Sequence, residues 1–264
     1  MRDAEQLHIY PTPNNRVTAF STTRHGGGGV GAYGTFNCTP YTGDDPDIVK
    51  ANQDLLCKLV GITADRLVVP YQTHSCNVLI IDEAFMQLSD ESRHAMLQEK
   101  DAVVTSIPNI CLCVSTADCV PVLLYDSARE VVAAVHAGWR GTVGGIVDRT
   151  LQVMKDSYGT QARDVHAIIG PCISLGAFEV GIEVYEAFEQ AGFDMPQIAH
   201  WHPEKEKYHI DLPAANRLQL LARGVPVEYV HNSNICTYTQ QEDFFSARRL
   251  GIRSGRILNG IVIE

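Results

Sequence analysis

Three short segments of the chain carry side chains that bind metals or act as nucleophiles, each beside a run of apolar residues. His74 lies in a polar interruption between two apolar runs, Cys119 lies in a polar corner, and His136 ends the apolar run 131–135. In folds that mix strands and helices, sites usually lie where strands end and loops begin. The pattern therefore predicts that these three residues take part in the chemistry of the protein.

A set of two histidines and one cysteine is a ligand set typical of catalytic zinc. Three protein ligands leave a fourth position for water or substrate, whereas structural zinc sites are closed. Zinc polarises a substrate oxygen or nitrogen and lowers the pKa of its bound water toward neutrality. The spacing of residues 74, 119 and 136 matches no short zinc-binding motif. Two alternatives therefore stay open: Cys119 as a buried packing residue, and each histidine as a hydrogen-bonded structural residue.

Arginines form a second candidate group, suited to an anion. Arg24 precedes the glycine run 26–29, and Arg140 opens a predicted helix. The C-terminal segment holds four more: Arg248, Arg249, Arg253 and Arg256. Guanidinium groups beside loop amides or a helix N-terminus are suited to phosphate, with a solvated basic patch as the alternative. The glycine run matches neither the GxGxxG nor the GxxxxGK[ST] pattern, which argues against NAD and P-loop chemistry.

One further pair of histidines has the spacing of a metal chelate. His200 and His202 share a face if they lie in a strand, because side chains two residues apart point the same way. The polar run 203–207 follows at once and predicts an exposed hairpin tip. The sequence therefore favours a solvated pair over a metal site at this position.

The elements that must position these residues alternate between strands and helices. A helix is predicted over 45–60, since Asp45 suits the N-cap, Pro46 the first turn and Gly61 the residue after the end. Other helices are predicted over 142–158, 182–190 and 213–222. Strands are predicted over 67–69, 78–81, 102–105, 110–115, 120–125, 131–135, 165–169, 227–230 and 257–263. We therefore expect a mixed α and β protein whose sheet has at least six strands.

Length and charge restrict the class of protein. The 264 residues fit a single domain spanning 1–264, and the net charge of −10 argues against a nucleic-acid or membrane-surface binder. No run approaches the ~18 to 20 apolar residues that a membrane span needs. The N-terminus lacks the pattern of a secretory signal. The eight cysteines contain no Cys-x-x-Cys pair, so we expect reduced thiols in a cytoplasmic protein.

Taken together, the motifs resemble the YfiH-type laccase-domain family over nearly the whole chain. The most specific blocks are TADCVPVLL at 116–124 and HAGWRG at 136–141. Supporting blocks are Thr23-Arg24 with Gly26-Gly27, Asn37, QTH at 72–74, IGPCI at 169–173, FEVG at 178–181, FFSARR at 244–249 and Gly255-Arg256.

The resemblance implies an α+β fold, a four-layer α/β/β/α sandwich with mixed β-sheets, and one metal bound by His74, Cys119 and His136. It also implies phosphorolysis of adenosine, inosine, guanosine and S-methyl-5′-thioadenosine, and hydrolytic deamination of adenosine. Phosphate would then be the co-substrate, with Arg24 and Arg140 as its predicted partners and Asn37 and Arg248 as weaker substrate contacts. Asp118 is predicted to orient a ligand or accept a proton. The catalytic group is thus Cys119, His136, Asp118 and Arg140.

Two other activities are attached to the same resemblance. Some family members are described as cytoplasmic editing factors for peptidoglycan precursors, which would make Cys119 and His136 an amide hydrolase pair. The family is also labelled a copper polyphenol oxidase. Multicopper centres need many clustered histidines, and this chain has ten histidines with one His-x-His pair, which favours one zinc over several copper ions. Copper in the single site, the preferred nucleoside and the oligomeric state are left open by the residues.

Overall fold

Runs of buried apolar residues form the central strands of the computed structural model, which describes residues 6–264. The strands are β1 (Leu7–Ile9), β2 (Val17–Thr22), β3 (Leu67–Val68), β4 (Val78–Ile80), β5 (Ala102–Thr105), β6 (Cys111–Thr116), β7 (Val120–Asp126), β8 (Val131–Ala137), β9 (Val165–Ile169), β10 (Glu179–Val180), β11 (Ala199–His202), β12 (Lys207–Ile210), β13 (Val230–Asn232) and β14 (Ile257–Ile263). The helices are α1 (Pro46–Val60), α2 (Glu83–Met86), α3 (Asp90–Met96), α4 (Trp139–Val143), α5 (Ile146–Tyr158), α6 (Ile182–Gln190), α7 (Met195–Ile198), α8 (Leu212–Ala222) and α9 (Ala247–Leu250).

Two large sheets and one small sheet arise from these strands. The first has six strands in the order β13-β9-β7-β8-β5-β4, and the second has five in the order β1-β2-β14-β6-β3. The third has the order β10-β12-β11. The pairs β13–β9, β4–β5 and β3–β6 are parallel and the other pairs are antiparallel, so both large sheets are mixed as predicted.

The two large sheets stack face to face, and helices cover their outer faces. Leu112 of β6 and Leu123 of β7 belong to the apolar cluster between the sheets. Helices α5, α6 and α8 pack on the outer face of the six-stranded sheet, through residues such as Met154 and Phe188. Helix α1 covers the outer face of the five-stranded sheet through Leu56. The α+β class and the four-layer α/β/β/α sandwich are therefore confirmed.

The alternation of side chains along β8 decides where its histidine lies. Ala133 and Val135 belong to the cluster under the helices, whereas Val132 and Ala134 belong to the cluster between the sheets. His136 has the same parity as Val132 and Ala134, so its imidazole lies on the inter-sheet face at the end of the strand. The catalytic candidates are thus built at the edge of the inner layer.

Helix α1 forms where its end signals predict it. The Asp45 side chain accepts a hydrogen bond of 2.9 Å from the amide of Asp47, and Pro46 is the first helical residue. Gly61 ends the helix with φ of 81°, a left-handed conformation that glycine adopts without a side-chain clash.

Other segments differ from the prediction for local reasons. The helix predicted over 142–158 is two helices, α4 and α5, because the chain turns at Gly145, which has φ of 75°. Residues 227–230 begin as a 3₁₀ turn, and the strand there is Val230–Asn232. The strands β1, β2 and β10 to β12 and the helices α2, α3, α7 and α9 were not predicted. Most of them span only two to four residues, which is too few to show a periodic pattern of apolar residues. Within residues 6–264, no helix combines the length and apolar character needed to cross a membrane.

Candidate metal centre and its cavity

The three predicted ligands come together at one end of the inner layer. His74 lies in the loop between β3 and β4, Cys119 lies in the corner between β6 and β7, and His136 lies near the end of β8. Their ligating atoms all lie within 4.8 Å of one another, and His74 Nε2 is 3.8 Å from Cys119 Sγ. The described residues contain no other group of three or more such side chains. Residues far apart in sequence therefore converge on a single point.

Asp101, which the sequence did not single out, holds two of the three ligands in place. Its fully buried carboxylate lies 2.7 Å from His136 Nδ1. The same carboxylate accepts hydrogen bonds from the backbone amides of Thr73 at 3.2 Å, His74 at 3.0 Å and Ser75 at 2.7 Å. A carboxylate that accepts the Nδ1–H of a histidine leaves Nε2 free for a metal.

The loop that carries His74 is also fastened to β6. Gln72 donates through its amide nitrogen to the Ser115 carbonyl at 2.8 Å and accepts from the Ser115 amide at 2.7 Å. His74 itself has φ of 62°, in the left-handed region that non-glycine residues rarely adopt. The hydrogen bonds to Asp101 and Ser115 hold this conformation, which is why the QTH segment presents its histidine to Cys119.

Gly138 allows the two loops to approach. A Cβ at this position would lie 2.8 Å from His74 Cδ2 and 3.0 Å from Cys119 Sγ. Real side chains do not pack this closely, so any other residue would displace the histidine or the thiol. The glycine of the HAGWRG block therefore has a steric role at the site.

The charges within the group stabilise one another. Burial opposes the Cys119 thiolate, but the nearby His136 charge and hydrogen bonds from both histidines outweigh it and lower the pKa of Cys119 to about 6. Burial likewise opposes charging of His136, but Cys119 and Asp101 raise the pKa of His136 to about 9. Despite burial, the hydrogen bond and charge of His136 lower the pKa of Asp101 to about 2. The thiol is thus readily ionised, as a metal ligand must be.

The three residues lie in the wall of a cavity of about 460 Å³, here called the metal-site cavity. Its lining also includes polar, aromatic and basic side chains: Thr39, Tyr41, Thr42, Tyr71, Gln72, Ser115, Thr116, Arg253 and Arg256. The apolar Ile252 lies beside them. Tyr41 and Tyr71 meet edge to face, with ring centres 4.9 Å apart. A volume of this size is in the range of small-molecule sites.

Arg253 and Arg256 are the guanidinium groups of this lining. Arg256 donates to the carbonyls of Ile252 at 2.7 Å and Ser254 at 2.6 Å, which stabilises the loop 252–256 in the cavity wall. Arg253 is exposed and has no hydrogen-bond or ion-pair partner among residues 6–264. The sequence places both in a basic cluster, but nothing local to that cluster distinguishes them from their neighbours.

The predicted substrate residues Arg24 and Asn37 are engaged within the fold. Arg24 donates to the carbonyls of Gly34 at 2.9 Å and Gln241 at 2.6 Å. The buried Asn37 amide donates to Thr42 at 3.0 Å and Asp44 at 2.9 Å. Neither side chain lines the metal-site cavity, so their predicted roles as substrate contacts remain predictions.

Arg140, Arg248 and Asp118 also lie outside the lining of this cavity. The exposed Arg140 guanidinium stacks on the Trp139 ring, 4.2 Å from its centre. Arg248 donates to the Glu179 carbonyl at 3.3 Å. The Asp118 carboxylate accepts from the Thr237 hydroxyl and from the Arg248 amide, each at 2.7 Å. It thereby anchors the segment that carries Arg248, while a proton-accepting role for it stays a prediction.

The donor set fits zinc. Zinc takes thiolate and imidazole ligands at about 2.3 and 2.0–2.1 Å, which places neighbouring donor atoms roughly 3.3–3.6 Å apart. The distance of 3.8 Å between His74 Nε2 and Cys119 Sγ is close to this spacing. The His136–Asp101 contact supplies the outer hydrogen bond that such sites use to orient a ligand.

Comparison with known proteins identifies the family of the chain. Residues 18–264 match the family described as multi-copper polyphenol oxidoreductase laccase. The chain belongs to this family. The YfiH-type laccase-domain resemblance is thereby confirmed. The crystal structure of the Bacillus licheniformis hypothetical protein YfiH superimposes with a TM-score of 0.91 at 26% identity, covering 100% of this chain and 98% of that chain.

Two relatives of this laccase-domain chain have names that describe an enzymatic activity. A purine nucleoside phosphorylase of Bacteroides thetaiotaomicron is 53% identical over 95% of this chain and 93% of that protein. Adenosine deaminase RL5, from an unknown prokaryotic organism, is 46% identical over 93% of each chain.

Proposed function

We propose that this protein is a zinc-dependent purine nucleoside enzyme. It cleaves adenosine, inosine, guanosine and S-methyl-5′-thioadenosine with phosphate, and it hydrolytically deaminates adenosine to inosine. The observation that carries the proposal is the convergence of His74, Cys119 and His136 on one wall of the metal-site cavity. The names of the two relatives support the choice of substrate class.

His74, Cys119 and His136 hold the metal in this proposal. A zinc ion bound there supplies a Lewis acid that polarises a substrate oxygen or nitrogen. Asp101 fixes the orientation of His136 and of the His74 loop through its hydrogen bonds, so the ligands are held ready before substrate binds. Preorganised ligands of this kind avoid rearrangement during the reaction.

The rest of the cavity is suited to the two substrates of phosphorolysis. In that reaction a phosphate oxygen bonds to C1′ while the bond from C1′ to the purine breaks and the base leaves with a proton. We assign phosphate binding to Arg253, whose guanidinium is free of protein partners among residues 6–264 and lies in the cavity wall. Tyr41 and Tyr71 provide an aromatic face for the purine.

Deamination uses the same cavity without phosphate. Water replaces the 6-amino group of adenine, and ammonia leaves. Because this reaction needs no anion, the Arg253 side chain is dispensable for it. In this proposal both reactions use the metal ligands, whereas only phosphorolysis uses Arg253. Comparing the two activities of a variant therefore distinguishes the two roles.

The second candidate is a thiol hydrolase that cleaves an amide of a peptidoglycan precursor. The observation in its favour is that Cys119 and His136 lie side by side, as a nucleophile and its base do. The multi-copper reading of the family description has less support, since residues 6–264 contain one group of three ligands and multicopper centres need several. All eight cysteines are free, in keeping with a proposed cytoplasmic location.

The test is a chromatographic assay of adenosine, inosine and S-methyl-5′-thioadenosine with and without phosphate, alongside metal analysis. We expect about one catalytic zinc per chain, free base only when phosphate is present, and inosine from adenosine without phosphate. EDTA should abolish both activities, and added zinc should restore them. Failure of metal-replete protein to convert any nucleoside, with Cys119→Ala equal to wild type, would reject the proposal. Cleavage of an amide in a peptidoglycan precursor that survives EDTA but is lost with iodoacetamide would support the thiol hydrolase.

A further inference from the structure

The small three-stranded sheet carries histidines that the proposed function does not use. Its register pairs His200 of β11 with His209 of β12, and His202 with Lys207. Paired residues of antiparallel strands share a face, as do residues two apart on one strand. His200, His202 and His209 are therefore on the same face of the hairpin, and none of them lines the metal-site cavity.

His209 is buried with one nitrogen unused. The residue is 2% exposed, and its Nδ1 donates to the Leu175 carbonyl at 2.9 Å. With its proton on Nδ1, the ring carries a lone pair at Nε2. That atom is also buried and has no hydrogen-bond partner among residues 6–264. A buried polar atom without a partner is costly, so native proteins nearly always provide one.

His202 presents a second unused nitrogen beside the first ring. Its Nδ1 is buried and has no partner within the same residues. The rings of His202 and His209 have centres 5.5 Å apart and planes inclined by 32°. Two imidazoles bound to one metal at about 2.0–2.1 Å have ring centres roughly 5 Å apart. The rings of His74 and His136 in the candidate zinc site are 4.8 Å apart.

The outer hydrogen bond repeats the arrangement of the candidate zinc site as well. His136 uses Nδ1 to reach Asp101, and His209 uses Nδ1 to reach Leu175, so each leaves Nε2 for a metal. Carboxylates and backbone carbonyls are the usual partners of metal-bound histidines. The nearby Glu179 carboxylate is 3.3 Å from Lys205 and is engaged in that ion pair. The donors at this position are therefore two imidazole rings, without a carboxylate.

We propose that His202 and His209 bind a second divalent transition-metal ion, of the zinc, copper and nickel class that imidazole prefers. Water completes the coordination, since no third protein donor is grouped with them among the described residues. The ion links β11 to β12 and provides a partner for both buried nitrogens. The spacing in the sequence pairs His202 with His200, but His200 is exposed. The second ligand in this proposal is instead His209 on the neighbouring strand.

The experiment is the zinc content of the full chain after stripping with chelator, reloading at micromolar zinc and desalting. We expect about two zinc ions per wild-type chain, about one for His202→Ala or His209→Ala, and about one for Cys119→Ala. Combining Cys119→Ala with His202→Ala should remove both. The matched control His200→Ala, which alters an exposed histidine of the same strand, should keep both.

Three results would overturn the proposal: a single zinc in the wild-type chain that His202→Ala retains, two zinc ions retained by His202→Ala, or a second ion bound only at millimolar zinc. A single zinc that His202→Ala removes would support this site and would count against the zinc at Cys119. Circular dichroism checks that the variants fold. His202 is only partly buried, so its variant carries the test if removal of the buried His209 ring prevents folding. The readout is metal content, and it is therefore independent of whether nucleosides are the substrates.

Discussion

Asp101 Oδ1 lies 2.7 Å from His136 Nδ1, and the other carboxylate oxygen accepts from the Ser75 amide at 2.7 Å. One side chain thus joins the end of a core strand to the loop that carries His74. The backbone repeats the contact, since the His136 amide donates to the Asp101 carbonyl at 2.7 Å. Two of the three candidate ligands are therefore positioned by a residue that is not itself in the ligand group.

Replacing Asp101 by Asn should weaken zinc binding while leaving the ligands in place. The Asn side chain has one acceptor oxygen and an NH₂ group that repels the donors now facing the carboxylate. Loss of an outer hydrogen bond of this kind typically costs 10- to 100-fold in metal affinity, and we expect about that range. Competition with a chromophoric chelator measures it.

The matched control is Asp118→Asn, in the segment next to Cys119. The Asp118 carboxylate contacts Thr237 and the Arg248 amide rather than a ligand, so zinc affinity should stay within about threefold of wild type. Equal losses in both variants would mean that Asp101 has no special part in the site.

Gly138→Ala should weaken zinc binding with little change in the rest of the fold. The added methyl group would lie 2.8 Å from His74 Cδ2 and 3.0 Å from Cys119 Sγ, which forces the two ligands apart. Overpacking of this kind costs about 1–3 kcal/mol, and at a metal site it acts on the ligand geometry. We expect at least tenfold weaker zinc binding and loss of both activities.

Gly28→Ala is the control for the effect of adding a methyl group to a glycine. A Cβ there meets only Ile48 at an ordinary distance of 3.8 Å. This variant should bind zinc and turn over nucleosides as the wild type does. Normal zinc affinity in Gly138→Ala would show that the close approach is not required.

Arg253→Ala should raise the KM for phosphate and leave deamination unchanged. A charge-assisted hydrogen bond contributes about 1.5–3 kcal/mol, which corresponds to roughly 10- to 100-fold in KM. Because the group is exposed, we expect the lower end of this range. Initial rates at varied phosphate, compared with adenosine deamination in its absence, provide the measurement.

Arg140→Ala is the control, since it removes an exposed arginine that stacks on Trp139 outside the cavity lining. Its KM for phosphate should match that of the wild type. The reverse outcome, with Arg140→Ala impaired and Arg253→Ala normal, would restore the assignment made from the sequence.

The ligands were accessible to sequence reasoning because each has a local signal. His136 follows an apolar strand, and Cys119 lies in a polar corner between two buried strands. Asp101 has a signal only in the pairing of β5 with β8, where Ala102 lies opposite Val135. One residue further along, the same register places Asp101 opposite His136. Because β6 and β7 lie between these two strands in the chain, the register depends on the tertiary fold, and no local sequence pattern predicts it.

The arginines show a second feature of the site that the sequence does not predict. Arg24, Arg140 and Arg253 have similar sequence surroundings, each near glycine or a helix start. What separates them is whether the guanidinium is engaged by protein carbonyls, as for Arg24, or lies free in the cavity wall, as for Arg253. Loop packing decides this, and no periodicity in the sequence encodes it. The fold class and layers, by contrast, follow from strand and helix patterns together with the family blocks.

Metal-free protein should react with iodoacetamide at Cys119 at neutral pH. Although burial opposes ionisation, the His136 charge and hydrogen bonds from both histidines lower the pKa of Cys119 to about 6. At pH 7 the reactive thiolate therefore predominates, and the labelling rate should fall as the pH drops through about 6. Burial raises the pKa of the Cys38 and Cys172 thiols, so both should stay unlabelled. Mass spectrometry of peptides identifies the modified residue.

Loading with zinc should protect Cys119, because a thiol that binds the metal cannot attack the reagent. The protection should be lost again in Asp101→Asn, at zinc concentrations that still protect the wild type, since that variant is expected to bind the metal more weakly. Equal labelling of Cys119 with and without zinc would contradict its role as a ligand. That result would favour the alternative in which Cys119 is a nucleophile and His136 its base, as in an amide hydrolase.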